Sequence, residues 1–269
     1  MGEKLKIYIS ADIEGISGVV SWEEVESGKP DYEYFRKIMS QEVNAAVEAA
    51  FDNGATDVIV RDAHSSARNI LPTHINRKAQ LLRDWSSGPL DMMEGIKEDF
   101  DATFFIGYHA KAGTPDATLK HTFTTNIYDL RVNNVSLSEA GWNALIAGYY
   151  NVPLIFVSGD KALCEQVKSF NNSIVTVPVK EGIGKACLTL HPDEAQERIK
   201  KGVTEAITKK NHIKPFQMNS PYELEISFTC EHLAWKAKWY PGAKLIAPRI
   251  VGFKTQNFFE CMRFLCFVG

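Results

Sequence analysis

The sequence lacks a Cys-x-x-Cys pair, a long apolar run and a dense run of basic residues. Its five cysteines are scattered, which is typical of neither a zinc knuckle nor a disulfide framework. No apolar run approaches the ~20 residues that cross a bilayer, and the opening MGEKLKIYIS lacks the apolar segment of a signal peptide. The formal net charge of -3 argues against a dedicated nucleic-acid or membrane-surface binder. We therefore expect a reduced, cytoplasmic protein with no nucleic-acid or membrane partner.

The composition is that of an ordinary globular protein, with 45% hydrophobic and 23% charged residues in a chain of 269. Short apolar runs alternate with amphipathic stretches, beginning with a predicted buried strand at 4–11 and a predicted helix at 31–52. This alternation is typical of an α/β fold, in which a mainly parallel sheet is flanked by helices.

The pattern changes after the polar segment SFNNS at 169–173, which we interpret as a hinge. The strand SIVTVPVK, a charged helix around 192–210 and several short strands follow it. We predict an α/β domain over 1–170 and a smaller α+β domain over 171–269.

Acidic and histidine side chains follow three of the apolar strands of the first domain. Asp12 and Glu14 follow the first strand, Asp62 and His64 end the second, and His109 ends the third. Because ligands collect beyond the carboxyl ends of parallel strands, we expect these side chains to meet at one edge of the sheet. Imidazole and carboxylate are typical ligands of zinc and related divalent ions. The set is large enough for two ions, with Asp12 as a candidate bridge.

Several of these residues also have ordinary structural interpretations. Asp12 could cap a turn, and Asp62 could orient His64 or cap the next turn. His121 could be a strand-edge histidine bonded to backbone, and Glu139 a capping-box glutamate paired with Ser136. We expect the remaining histidines to lie at the surface, namely His74, His191, His212 and His232.

Five segments, taken in order, resemble the M55 family of D-aminopeptidases, also called the dipeptide-transport-protein family. They are IYISADIEGISG, VRDAHSS, FFIGYHAKAGTPDATLKHTF, SEAGWNALIAGYYNVPLIFVSGDKA and WYPGAKL. The similarity spans roughly residues 5–255, and the combination of the first three motifs in this order is specific.

The resemblance implies a cytoplasmic, zinc-dependent aminopeptidase with two metal ions per subunit and a decameric, self-compartmentalised assembly. It also implies an α/β metal-binding domain followed by a smaller α+β domain. By resemblance the metal ligands are Asp12 as bridge, Glu14 and His64 on one ion, and His109 and Glu139 on the other. His121 matches the family's catalytic histidine, for which we expect a role as general acid/base or oxyanion donor.

The chain departs from the family pattern in three places. Ser138 stands where a glycine is expected, the loop between His109 and His121 is about one residue longer, and the closing segment FFECMRFLCFVG is unusual. We expect this closing segment to lie far from the metal motifs.

The predicted function is release of N-terminal residues from short peptides by metal-activated water, with D-alanine as the expected residue and glycine and L-alanine as further candidates. A dinuclear phosphoesterase or amidohydrolase is an alternative, because the same ligands serve phosphate esters. No Gly-rich phosphate loop of Walker or Rossmann type supports it. A non-catalytic peptide-binding protein is a second alternative. The preference for D- or L-residues, and the choice among zinc, manganese and cobalt, stay open.

Overall fold

The computed structural model describes residues 4–269, which contain twelve strands and six α-helices. The strands are β1 (Lys6–Ala11), β2 (Asp57–Asp62), β3 (Gln80–Leu82), β4 (Ala102–Tyr108), β5 (Ile127–Val132), β6 (Val135–Ser136), β7 (Leu154–Asp160), β8 (Val175–Ile183), β9 (Ala186–Thr189), β10 (Tyr222–Phe228), β11 (Lys244–Ala247) and β12 (Ile250–Thr255). The helices are α1 (Tyr32–Asp52), α2 (Glu139–Tyr149), α3 (Lys161–Phe170), α4 (Pro192–Lys209), α5 (Glu231–Ala237) and α6 (Phe258–Val268).

The larger sheet has seven strands in the order β3-β2-β1-β4-β7-β8-β9. All neighbours pair in parallel except β8 and β9. The central strands β4 and β7 are buried along their whole length, as expected for a sheet covered by helices. The chain runs outward from β1 through β2 to β3, and outward in the opposite direction from β4 through β7 to β8. The strand order therefore reverses between β1 and β4, which creates a crevice at their carboxyl ends.

Helix α1 forms as its sequence predicts. Its buried residues recur with helical spacing, Ile38, Met39, Val43, Ala46 and Val47 among them. It ends at Asp52, and the following Gly54 has φ of +93°, a conformation that glycine adopts without steric cost. The helix packs against α4, so both of these helices cover the sheet together.

The smaller sheet is antiparallel, in the order β11-β12-β10-β5-β6, and α5 and α6 pack against it. Two of its strands, β5 and β6, lie between β4 and β7 of the larger sheet in the sequence. No helix of the described residues is both long and apolar enough to cross a membrane.

The sheets do not follow the predicted division at residue 170. SIVTVPVK forms β8, which pairs in parallel with β7 of the larger sheet, and the charged helix forms α4, which packs against α1. The segment 169–173 comprises the last two residues of α3 and most of the loop that leads to β8, so it joins two elements of the larger α/β unit. The division into domains 1–170 and 171–269 stays a prediction. Strands β5 and β6 precede residue 170 but belong to the smaller sheet, whereas β8 and β9 follow it but belong to the larger sheet.

Candidate metal centre

The crevice between β1 and β4 brings together the side chains that follow these strands. Asp12 comes directly after β1 and His109 directly after β4, while His64 lies two residues beyond β2. Glu139 is the first residue of α2, and His121 lies in the loop between β4 and β5. All but His121 are buried. The fold thus brings the predicted site residues together from five separate segments.

Glycine is required where the first loop leaves β1. A Cβ at Gly15 would lie 1.7 Å from the carbonyl oxygen of Tyr108, which no side chain tolerates. The Gly15 N–H donates to the Gly107 carbonyl at 2.8 Å. The loop that carries Asp12 and Glu14 is thereby pressed against the end of β4, which brings both carboxylates to His109.

His64 faces two carboxylates with one ring nitrogen. Its Nδ1 lies 3.2 Å from Asp12 Oδ1 and 3.0 Å from Glu14 Oε2. The other ring nitrogen, Nε2, lies 2.9 Å from the carbonyl oxygen of Val25. A carbonyl oxygen only accepts, so Nε2 carries a proton, and Nδ1 is the ring nitrogen that faces the two carboxylates.

His109 repeats this arrangement on the other side of Asp12. Its Nε2 lies 3.5 Å from Asp12 Oδ2 and 3.4 Å from Glu139 Oε2. Its Nδ1 lies 3.0 Å from the carbonyl oxygen of Ala110. The two oxygens of Asp12 therefore face two different histidines, which is the geometry that a bridging carboxylate needs.

His121 is the third histidine with this pattern. Its Nδ1 donates to the Leu119 carbonyl at 2.8 Å, and its Nε2 lies 3.6 Å from Glu139 Oε1. Its ring is stacked on that of His109, with centroids 4.2 Å apart, and contacts the Trp22 ring edge-on at 5.3 Å. Backbone carbonyls thus fix the tautomer of all three histidines, as is typical of metal-binding imidazoles.

The charges of the cluster call for a cation. Burial raises the pKa of Asp12, and the neighbouring Glu14 raises it further. Burial lowers the pKa of His64, but Glu14 and Asp12 outweigh it and raise this pKa well above its usual value. Burial also lowers the pKa of His109, but Glu139 and Asp12 outweigh this effect and raise the pKa to about 10. Either bound protons or bound metal ions would balance the negative charge of these carboxylates.

Two atoms of the cluster indicate which cation fits. Glu14 Oε2 and His109 Nε2 are buried and have no hydrogen-bond partner among residues 4–269, a costly state for polar atoms. Ligand atoms of Asp12, Glu14 and His109 lie within 4.8 Å of one another, as do those of His109, His121 and Glu139. Nitrogen and carboxylate oxygen at this spacing fit divalent ions of the zinc type. His121 therefore lies within reach of a ligand role as well as a catalytic one.

A second set of buried charges supports the first loop, and sequence analysis missed it. The Lys180 ammonium donates to the carbonyl oxygens of Glu14 and Val19. Glu42 Oε1 accepts from Ser17 N at 2.9 Å. Both Lys180 and Glu42 are almost fully buried. A lysine at the end of the apolar run IVTVPVK was the available signal, because a buried lysine needs specific acceptors.

Asp62 and Ser138 stabilise the backbone next to the site. The carboxylate of Asp62 accepts from the backbone N–H groups of Asn69 and Ile70 at 2.6 and 2.7 Å, so it shapes the turn after β2. Ser138, and not Ser136, is the N-cap of α2, and it accepts from Gly141 N at 3.2 Å. The serine that departs from the family pattern therefore supports the helix that begins with Glu139.

The centre opens into a cavity of about 680 Å³. Asp12, Glu14, His64, His121 and Glu139 contribute to its lining. The expectation that the closing segment lies far from the metal motifs is wrong, because α6 lines the same cavity. Its other walls are largely apolar, and the side chains that form them include Trp22, Trp85, Met92, Phe123, Trp142, Met262 and Leu265.

The predicted surface histidines are mostly exposed. His191, His212 and His232 are exposed, and His74 is half-buried.

The fold and the site together define an α/β protein with a buried histidine–carboxylate centre suited to divalent metal ions. A family model described as D-aminopeptidase, peptidase family M55, matches residues 5–267. The chain therefore belongs to the M55 family of D-aminopeptidases, which confirms the resemblance carried by its motifs and the prediction of a peptide-hydrolysing enzyme.

Two relatives support this membership. A D-aminopeptidase of Bacillus subtilis (strain 168) is 32% identical over 258 residues, which cover 95% of this chain and 93% of the relative. A solved structure, of the Zn-dependent D-aminopeptidase DppA from Bacillus subtilis, described as a self-compartmentalizing protease, matches with a TM-score of 0.94 at 30% identity. That match covers 98% of this chain and 96% of the other, and it confirms the predicted α/β architecture.

Proposed function

We propose that this chain is a zinc-dependent aminopeptidase that binds two divalent ions and releases N-terminal residues from short peptides. The observation that carries the proposal is the position of Asp12, whose two carboxylate oxygens face Nδ1 of His64 and Nε2 of His109. A pair of ions sharing one carboxylate is the arrangement used for two-metal hydrolysis.

The proposed ligands divide into two groups around Asp12. Glu14 and His64 would hold one ion, because both are buried and Glu14 Oε2 lies closer to His64 Nδ1 than the Asp12 carboxylate does. His109 and Glu139 would hold the other, because His109 Nε2 faces Glu139 Oε2. Zinc is the expected metal, since the Bacillus subtilis relative of solved structure is described as zinc-dependent and the donors are imidazole and carboxylate.

Bound zinc ions supply Lewis acidity toward the peptide carbonyl and lower the pKa of water. The protein's own contribution begins with the cavity, whose aromatic and aliphatic walls limit access of bulk water to the scissile bond. His121 Nε2 lies at the cavity, and its Nδ1–H is held by Leu119 O. The ring can accept a proton at Nε2 and return it to the departing amine, which is general acid–base catalysis.

The substrates and the assembly follow from the family. The relatives are described as D-aminopeptidases, so we expect N-terminal D-residues such as D-alanine to be released, with glycine and L-alanine as further candidates. One relative is described as a self-compartmentalizing protease. We accordingly propose a cytoplasmic homo-oligomer, a decamer as the family resemblance implies, whose mass light scattering would measure.

A substrate panel with metal exchange tests the proposal. Metal-depleted protein is reloaded with zinc, manganese or cobalt, and assayed on D- and L-aminoacyl p-nitroanilides, dipeptides and p-nitrophenyl phosphate. We expect two zinc ions per chain and hydrolysis of aminoacyl substrates that chelation abolishes. Turnover of the phosphate ester alone would indicate a phosphoesterase. Peptide binding without bound zinc or turnover would indicate a binding protein.

A further inference from the structure

Asp91 is a carboxylate of the cavity that the metal cluster does not use. It lines the same cavity as Asp12, Glu14 and Glu139. Among the described residues, the groups spaced to hold a metal ion do not include it, and no hydrogen bond from these residues reaches its carboxylate. A negative group that faces a cavity without a protein partner is available to a ligand.

The backbone of Asp91 is held in an unusual conformation. Its φ is +50°, in the left-handed region that non-glycine residues adopt at a cost and that is concentrated at functional sites. Its N–H donates to the Gly88 carbonyl at 3.3 Å. The neighbouring Met92 carbonyl accepts from Ser10 Oγ at 2.8 Å, so the turn that presents Asp91 is attached to the buried strand β1.

The charges around Asp91 place it beside the metal centre. Burial, followed by repulsion from Glu139, raises the pKa of Asp91 to about 6. Arg61 acts in the opposite direction. The guanidinium of Arg61 is fully buried and lies 4.4 Å from the ring centroid of Trp85. Asp91 therefore lies close enough to Glu139 for the two carboxylates to repel each other.

Several apolar side chains line the cavity that Asp91 also lines. Met92, Trp142, Met262 and Leu265 line the same cavity. A ligand that fits both features has a cationic group for Asp91 and a short aliphatic group for these side chains. The N-terminal residue of a small peptide has both, because its α-ammonium and side chain leave the same carbon.

We propose that Asp91 binds the α-ammonium group of the substrate and so selects peptides with a free N-terminus. This inference rests on the proposed function and adds a specificity residue to it. Asp91 and the α-ammonium form a charge-assisted hydrogen bond, while the substrate side chain lies against Trp142 and the α6 wall. The scissile carbonyl, one bond further along, then lies toward Glu139 and the proposed metal ligands.

Steady-state kinetics of Asp91→Asn with D-alanyl p-nitroanilide tests the proposal. We expect KM to rise about tenfold or more, since a hydrogen bond between charged groups is replaced by a neutral one. The value of kcat should change much less, and bound zinc should stay at the wild-type level. Asp91→Glu should recover part of the affinity. The matched control is Asp193→Asn, whose carboxylate is exposed and does not line the cavity.

A binding experiment separates this inference from the proposed function. D-alaninol has the ammonium group and no scissile bond, and calorimetry gives its Kd for the zinc-loaded protein. We expect about tenfold weaker binding to Asp91→Asn than to wild type. An unchanged Kd and KM, or loss of zinc from the variant, would overturn the role of Asp91 while an active wild type leaves the proposed function intact. Asp91-dependent binding by a protein that hydrolyses no aminoacyl substrate would refute the proposed function alone.

Discussion

The imidazole rings of His109 and His121 are stacked, with centroids 4.2 Å apart and planes inclined by 10°. Both rings direct Nε2 toward the carboxylate of Glu139, one toward each oxygen. The stack joins a proposed metal ligand to the proposed acid–base residue.

We expect His121→Ala to lower kcat on an aminoacyl p-nitroanilide by roughly 10²- to 10⁴-fold, the usual contribution of general acid–base catalysis, with two zinc ions still bound. Plasma mass spectrometry of the purified variant measures the metal, and single-turnover assays measure the rate. His232→Ala is the matched control, since that histidine is exposed. Loss of one zinc ion from His121→Ala would instead identify His121 as a ligand.

Substitutions at Asp12 and Glu14 should differ in how much metal they remove. Asp12→Ala is expected to lower zinc content toward zero, because both proposed ions share this carboxylate. Glu14→Ala should leave about half of the zinc, since Glu14 is proposed to serve one ion. Asp116→Ala, which replaces an exposed acidic residue, serves as the control. Equal zinc contents in the Asp12 and Glu14 variants would contradict a bridging role for Asp12.

Lys180→Met should weaken zinc binding although Lys180 is not a proposed ligand. The substitution keeps the length of the side chain but removes the donor to the carbonyl oxygens of Glu14 and Val19. Supporting contacts of this kind typically alter metal affinity by about 10- to 100-fold. Competition with a zinc chelator gives the affinity. Lys161→Met, at an exposed pair with Glu181, should behave as wild type; an equal effect of both variants would show that lost charge alone is responsible.

Glu42 should make stability depend on pH. Burial raises its pKa from 4.5 to about 7, although the hydrogen bonds from Ser17 and the charge of Lys180 act the other way. The folded state thus holds the proton more tightly than the unfolded state. This contribution to stability is complete below pH 4.5 and is lost as pH rises through about 7.

Replacement of Glu42 by glutamine removes the titration and keeps an oxygen that can accept from Ser17. We expect the free energy of unfolding of wild type, relative to Glu42→Gln, to fall by about 3 kcal/mol across this window, at 1.36 kcal/mol per pKa unit. Urea denaturation at a series of pH values measures both proteins. Parallel pH profiles would show that Glu42 does not titrate in this range.

Local patterns in the sequence predicted the elements well and their sheet membership poorly. The strand β1, the helix α1 and the positions of Asp12 and His109 follow from apolar runs and from the rule that parallel strands end at one edge. The pairing of β5 with β10 has no local signature, because an alternating strand fits either sheet. The pairing of SIVTVPVK with β7 likewise has no signature in its own residues.

The site was predictable where a motif carried it. Glu139 and His121 depended on the family resemblance, since a capping glutamate and a strand-edge histidine have the same local sequence. The partners of Lys180 and Asp91 could not be predicted, because those of Lys180 lie far away along the chain and that of Asp91 is the proposed substrate. Their roles depend on which distant residues the fold places beside them.

The strand β5 lies between His121 and Glu139 in the chain, yet it pairs with β10, which is synthesised much later. The loop that carries His121 and the helix that begins with Glu139 flank β5. The pairing of β5 with β10 cannot form in a nascent chain until β10 has left the ribosome. Non-local pairings of this kind form slowly. We expect the polypeptide to acquire its metal only near the end of its synthesis, so an incomplete chain has no competent peptidase centre.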